Sequence, residues 1–326
     1  MTQVRIEGSV APGFESVKRL YERNMYTLAE RDTQLCVYHH GEKVVDLWGS
    51  ASGNADFSAD SLVNVFSSGK SLEAIAMASL VDKGLLRYEA KIAEYWPEFA
   101  ANGKAELTVA DLMRHEAGLA AFKTSIPPED LLTENLKLNR VGAVIEAHPP
   151  AFRRVGSRRE YHAVTRGWIA NEVFRRVDPE GRTIGEFLRQ DISGPLGVDV
   201  IIGLRQDELE RVTRVTPISM GFQFWQSLTP RLLGRRMEHN IFEIGGRILR
   251  ILPGIRNGTT AGAAPAFVGM NRVSFFNEPA VAMGETPSAN TNASARGLAK
   301  VAAVMAAGGE WAGKRYLGEA AWKAMH

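Results

Sequence analysis

The chain has 326 residues, of which 45% are hydrophobic and 23% charged, with a net charge of +2. That is an ordinary globular composition on a chain long enough to bury a core without disulfides or metals, and the charge balance gives no footing for a nucleic-acid partner. The single cysteine, Cys36, rules out an internal disulfide framework. No stretch approaches the ~18 uninterrupted apolar residues of a membrane span, and the opening residues lack an apolar signal core, so the default expectation is a cytoplasmic protein.

Residues 16–31 space Val17, Leu20, Tyr21, Met25 and Leu28 at helical intervals, with Ser16 as the expected N-cap. Two strand-like runs follow, 34–40 and 43–48, joined by the turn His40-Gly41-Glu42. Cys36 falls in the first run and is expected to pack there as a small apolar residue. A polar stretch leads to Val63-Asn64-Val65-Phe66, and residues 70–83 then predict a helix with Leu72, Ile75, Ala76 and Leu80 on one face and Gly84 at its end. Thr108 is placed to cap a helix through Met113. Proline pairs at 127–128 and 149–150 bracket another helical segment, and 163–177 and 183–192 predict two more. Residues 223–256 interleave arginines with apolar residues, and three readings stand: a segment touching a membrane surface, a cap insertion reaching to about 265, or a solvated helix pair. A last strong helix is expected over 293–307. Strands at the start and helices through the middle give an α+β fold, with helices packed on an antiparallel sheet that needs more strands than one hairpin.

The chemistry concentrates at Ser67-Ser68-Gly69-Lys70, an S-x-x-K where a strand-like segment turns into a helix. A serine there has helix N–H groups aimed at incoming negative charge, and its own N–H is half of an oxyanion hole. Residues three apart share a helix face, so Lys70 reaches the Ser67 hydroxyl. A serine hydroxyl is a weak nucleophile until a base takes its proton, and a lysine crowded into an apolar pocket loses its own proton readily enough to serve. The tetrapeptide alone is also explained by a serine N-cap followed by an exposed lysine.

The surrounding residues decide between these. Val65-Phe66-Ser67-Ser68-Gly69-Lys70-Ser71 resembles the nucleophile segment of the β-lactamase-related serine hydrolases, a family that includes class C β-lactamases, DD-peptidases and family VIII carboxylesterases. Leu107 to Leu119, with His115-Glu116-Ala117-Gly118-Leu119 at its end, resembles the family's T-[VI]-x-x-L-L-x-H-x-S-G-L element, with Ala117 in place of Ser. Phe152 to Ser157 followed by Tyr161-His162-Ala163 resembles its tyrosine region, and Val44 to Gly49 its second strand. The resemblance implies a β-lactamase/transpeptidase-like domain over residues 1–326, with a helical subdomain near 85–220. It implies two-step acyl transfer without metal or organic cofactor, on a small-molecule ester or amide, with Ser67 as nucleophile and Lys70 and Tyr161 as the proton-handling pair. His162, Ser288 and Asn290 are its candidates for substrate contact, His162 alternatively holding Tyr161 in place. His115 is expected to be structural.

Two departures shape the expectation. Tyr161-His162-Ala163 lacks the Asn with which the lactamases bind a substrate amide, which points to a carboxylesterase on small esters ahead of a D-aminopeptidase, a DD-peptidase or a β-lactamase. The family's third motif, K-T-G in lactamases and H-x-G or W-G-G in esterases, has no counterpart in the sequence. The expectation is therefore a chain incomplete at its C-terminus, short of sheet strands and of one oxyanion donor. That donor is worth on the order of 10²–10³ in rate, and a catalytically silent scaffold is the rival reading.

Overall fold

The strand Glu42–Ser50 is buried on consecutive residues from Val44 to Leu47, the pattern of a strand covered on both faces. The computed structural model describes residues 4–28, 31–152, 158–219 and 262–325, with isolated positions 221, 224, 245–247, 249 and 250. In it this strand (β3) lies between Arg5–Val10 (β1) and Asp32–His39 (β2), antiparallel to both. The expected hairpin is thus β2–β3, closed by His40 and Gly41 with φ of 48° and 82°, the double positive φ of a tight hairpin turn. β1 is a finding of the structure. Its Ile6, Gly8 and Val10 alternate as a strand requires, and it supplies the partner that a lone hairpin lacks.

The helix Glu15–Thr27 (α1) covers this sheet with Tyr21 and Met25, which pack on Val44, Val45 and Leu47. Ser16 is not its cap: the N-cap is Phe14, and the Glu15 carboxylate accepts from the Gly13 N–H at 3.1 Å. The helix start has no side-chain cap bond, and the acidic Glu15 in its first turn complements the helix dipole instead.

A second sheet has the order β5-β7-β4-β6, from Leu62–Asn64 (β4), Val200–Ile201 (β5), Val212–Thr213 (β6) and Asn292–Ala293 (β7). β4 and β7 pair antiparallel, Val63 opposite Ala293 and Asn64 opposite Asn292. Strands of two or three residues carry no periodicity, so only β4 was legible beforehand.

The helices match their signals more closely. Gly69–Asp82 (α2) replaces the expected 70–83, and Val109–Met113 (α3) is capped by Thr108 and Asp111 in a reciprocal pair. Arg140–Ala147 (α4) lies between the proline pairs, and Thr165–Val177 (α5) is buried from Thr165 to Phe174. Ile184–Phe187 (α6), capped by Thr183, runs on as a π-helical turn, Leu188–Ser193. Ala295–Ala306 (α7) is capped by Ser294 and packs beside β2. A short hairpin, Glu310–Trp311 (β8) and Lys314–Arg315 (β9), then leads to Glu319–Met325 (α8), which lies on α2.

One apolar core runs from Leu72 on α2 through Trp96, Trp168 and Phe267 to Val301 on α7. Most of the arginine-rich segment 223–265, together with 153–157, lies outside the described residues. No helix among the described residues is long and apolar enough to cross a membrane.

α2 meets the loop before β7 without clearance. A Cβ at Gly69 would fall 2.2 Å from Thr291 Oγ1 and 2.3 Å from the Pro287 carbonyl. Gly69→Ala is expected to lower stability by about 1–3 kcal/mol, the usual cost of overpacking, measured as the shift in urea midpoint at unchanged slope. An unchanged midpoint would mean that the loop is not seated against α2.

Candidate active site

β4 delivers the chain directly into the 3₁₀ turn Phe66–Ser68 and so into α2. Phe66 has φ +45°, a left-handed conformation that costs a non-glycine residue energy. It is held there by its N–H bond to Asn64 Oδ1 at 2.8 Å and by its ring against Phe276 at 5.2 Å. The Val65 N–H donates to the Thr291 carbonyl at 2.9 Å, extending the β4–β7 pairing up to the turn. The result presents Ser67 exposed, at a helix start where N–H groups lack intrahelical acceptors.

Two side chains converge on Ser67. The Tyr161 hydroxyl donates to Ser67 Oγ at 2.7 Å, and Lys70 Nζ lies 3.5 Å from the same oxygen. Lys70 Nζ also donates to the carbonyls of Ala163 at 2.7 Å and Ser288 at 2.9 Å. An ammonium has three N–H donors, and all three directions are thereby taken. When the amine is neutral, its two N–H groups stay on the carbonyls and the lone pair faces Ser67 Oγ. The ammonium also stands 4.8 Å from the centre of the Tyr161 ring.

These contacts tune both groups. Burial pushes the Lys70 amine below the usual lysine range, against the opposing pull of Tyr161 and Glu73. Burial by itself would raise the Tyr161 hydroxyl, but its bonds to Ser67 and Lys70 outweigh that and leave it below the usual tyrosine range. Each therefore gives up a proton more easily than it would in water. The arrangement can take the serine proton and return one to a leaving group.

Beneath Lys70 lies a charged layer that sequence reasoning passed over. Arg166 Nε donates to Glu73 Oε1 at 2.7 Å, and both side chains are buried. The visible signal was Glu73 itself, a carboxylate on the same stretch of helix as Leu72 and Ile75, where an amphipathic reading places it against the core.

Three of the six expected site residues, Ser67, Lys70 and Tyr161, are brought together, and the other three do not present side chains to the cleft. His162 is fully buried, with Nδ1 on the Glu160 carbonyl at 2.6 Å and Nε2 accepting from the Leu119 N–H at 3.0 Å. Ser288 points its hydroxyl inward to Glu73 Oε2 at 2.6 Å and gives the site only its carbonyl. Asn290 is buried, its amide donating to the carbonyls of Val281 and Gly284 and accepting from the Thr286 N–H. The structure places these three side chains inward, in bonds to the surrounding scaffold. Each satisfies buried backbone or ionic groups that would otherwise be costly. His115 likewise accepts the His162 N–H on Nδ1 at 3.0 Å and packs its ring 5.0 Å from that of Tyr161.

The family model described as Beta-lactamase matches residues 17–326. The chain belongs to the beta-lactamase family. Among members of that family it is 33% identical over 316 residues to the esterase/beta-lactamase LipL of Mycobacterium tuberculosis, covering 96% of this chain and 67% of the relative. A solved penicillin-binding protein homologue from Caulobacter crescentus superposes with a TM-score of 0.75 at 31% identity, covering 98% of this chain and 76% of that one. A crystal structure of a family VIII carboxylesterase gives the same TM-score and coverage at 29% identity. This beta-lactamase-family chain shows no group of three His, Cys, Asp or Glu side chains placed to hold a metal ion among its described residues.

His115 makes the layer under Tyr161 sensitive to acid. Burial first, then the Arg166 guanidinium, hold its pKa down to about 4. The folded state thus keeps His115 neutral where the unfolded chain, near 6.5, takes up a proton. Its contribution is complete above about pH 6.5 and is lost as pH falls from there towards 4. His115→Asn, which suits the φ of +64° at this position, is expected to flatten the fall of unfolding free energy across that window. An identical slope in wild type and variant would assign the acid sensitivity elsewhere.

Proposed function

We propose that this chain is a serine hydrolase working through an acyl-enzyme on Ser67, with small carboxylic esters as its substrates. The observation that carries the reading is the convergence of Tyr161 Oη and Lys70 Nζ on one exposed serine oxygen. In the first half-reaction the Ser67 proton passes to the Tyr161–Lys70 pair as Oγ attacks the ester carbonyl. The oxyanion that forms faces the Ser67 N–H. The pair then protonates the departing alkoxide, leaving an ester on Ser67. In the second half a water gives its proton to the same pair, attacks the acyl carbon, and returns Ser67 with its proton.

The ester preference rests on what stands beside Lys70. Ala163, whose carbonyl holds the amine, brings no side-chain amide to meet a β-lactam's acylamino group. Its side adjoins an apolar cavity of about 140 Å³ walled by Ala121, Phe122, Trp168 and Ala266. A cavity near 150 Å³ takes a molecule about the size of benzene, so this one suits a short acyl or alcohol group. The relatives, an esterase/beta-lactamase and a family VIII carboxylesterase, support the same direction. A second reading, cleavage of a peptide ending in a free carboxylate, is favoured by an open cleft of about 590 Å³ beside Phe66. Arg31 and Arg214 stand in its wall.

The expected outcome with a fluorophosphonate is one adduct by intact mass, absent in Ser67→Ala. p-Nitrophenyl butyrate is then hydrolysed in preference to a chromogenic cephalosporin or an acyl-D-Ala-D-Ala peptide. Soluble, folded protein that takes no adduct would replace the enzyme reading with a silent scaffold. Preference for the D-Ala-D-Ala peptide would promote the second reading. Filling the cavity by Ala121→Leu is expected to lower kcat/KM for the butyrate about tenfold relative to the acetate, the scale of a one-methylene discrimination. An unchanged chain-length profile would place the acyl group elsewhere.

A further inference from the structure

Buried ion pairs are poor stabilisers, since well-packed apolar side chains often do as well or better. The Glu73–Arg166 pair, fully buried one turn along α2 from Lys70, therefore calls for an account beyond stability. Its bonds supply one. Arg166 Nη2 donates to the Lys70 carbonyl at 3.2 Å, and Nη1 to the Met113 carbonyl at 3.2 Å. Glu73 takes Arg166 on one oxygen and the Ser288 hydroxyl on the other, and the Ser288 carbonyl in turn accepts from Lys70 Nζ. The path leaves Lys70 at its backbone oxygen, crosses Arg166, Glu73 and Ser288, and returns to Lys70 at its amine. This closed ring ties together α2, α5 and the loop before β7.

We propose that Glu73 and Arg166 form a positioning unit that fixes both the place and the charge of the Lys70 amine. The proposal rests on the reading of Lys70 as a proton acceptor for Ser67. The charged and titratable groups facing Lys70 are Glu73 on its own helix, Arg166 from α5, and Tyr161, His115 and His162 from the neighbouring loops. Glu73 favours the ammonium and Arg166 opposes it, so the two act on its charge in opposite directions while together supplying the ring of bonds. Opposite signs on the two members make the proposal separable from a structural role. A pair too remote or too screened to act on the amine leaves the Lys70 titration where it is when either side chain is removed.

The experiment follows the Lys70 titration by NMR of protein carrying ¹³Cε-lysine, the signal assigned with Lys70→Arg. The pH dependence of fluorophosphonate labelling is measured on the same samples. Glu73→Gln leaves Arg166 unbalanced and is expected to move the Lys70 midpoint down. Arg166→Gln leaves Glu73 unbalanced and is expected to move it up, each by roughly one pH unit. The double variant should return it close to the wild-type value. Shifts in the same direction, or none, overturn the proposal. Single variants with an unpaired buried charge can fail to fold, and Ser288→Ala and Arg166→Lys then decide. Both keep both charges and break the ring, so the midpoint should hold while labelling slows several-fold. Wild-type labelling rate in both, or a midpoint moved by a unit, overturns it. Opposed midpoint shifts in a protein that never labels would uphold the unit and refute the hydrolase reading.

Discussion

The site depends on one amine being held between two main-chain carbonyls. Lys70 Nζ bonds the carbonyl of Ala163, 93 residues further along the chain, and that of Ser288, 218 residues further along. A lysine side chain carries several freely rotating bonds, and ordering it is costly in entropy. Two fixed acceptors from remote segments offset that cost and leave only one direction open, the one towards Ser67. Whatever places those two carbonyls therefore places the amine beside Ser67.

Most of the surrounding polar structure serves that placement. The β4–β7 pairing brings the turn carrying Ser67 alongside the loop carrying Ser288, and the Val65–Thr291 bond continues the register to the end. Asn290 pins the same loop from inside by three backbone bonds. Two residues ahead of Ala163, the ring of Tyr161 packs on that of His115, whose Nδ1 accepts from the His162 N–H, while the His162 ring accepts from the Leu119 N–H. Buried polar groups earn their place only when fully bonded, and these are. Glu285 follows the same rule a few residues earlier. It is fully buried, its carboxyl raised by desolvation, and it is met by Thr133, Thr183, Asn171 and the Gly185 N–H, so it anchors the loop to α5 and α6.

A serine on a strained turn between a short strand and a buried helix, with a lysine one helical turn on, is an arrangement suited to acyl transfer. The walls around it differ between proteins and select the acyl donor. In this chain the wall beside Lys70 is apolar and small, built from Ala121, Ala163 and Trp168.

The sequence by itself determined the local features. The S-x-x-K spacing puts Lys70 over Ser67 because three residues make nearly one helical turn, and the resemblance around Tyr161 named the third member. The long elements α2, α5 and α7 and the β2–β3 hairpin were legible because periodicity and caps are written in neighbouring residues. Tertiary structure alone decided the rest. β5, β6 and β7 are too short to carry a period and exist only through pairing, β6 and β7 on β4 and β5 on β7. His162, Ser288 and Asn290 look in sequence like residues offered to a substrate, yet their side chains turn inward, because the direction of a loop side chain is set by what packs behind it. Glu73 and Arg166 lie 93 residues apart, and no local pattern joins them. Their pairing follows from the crossing of α2 and α5, where a buried charge must find its opposite or not be charged at all.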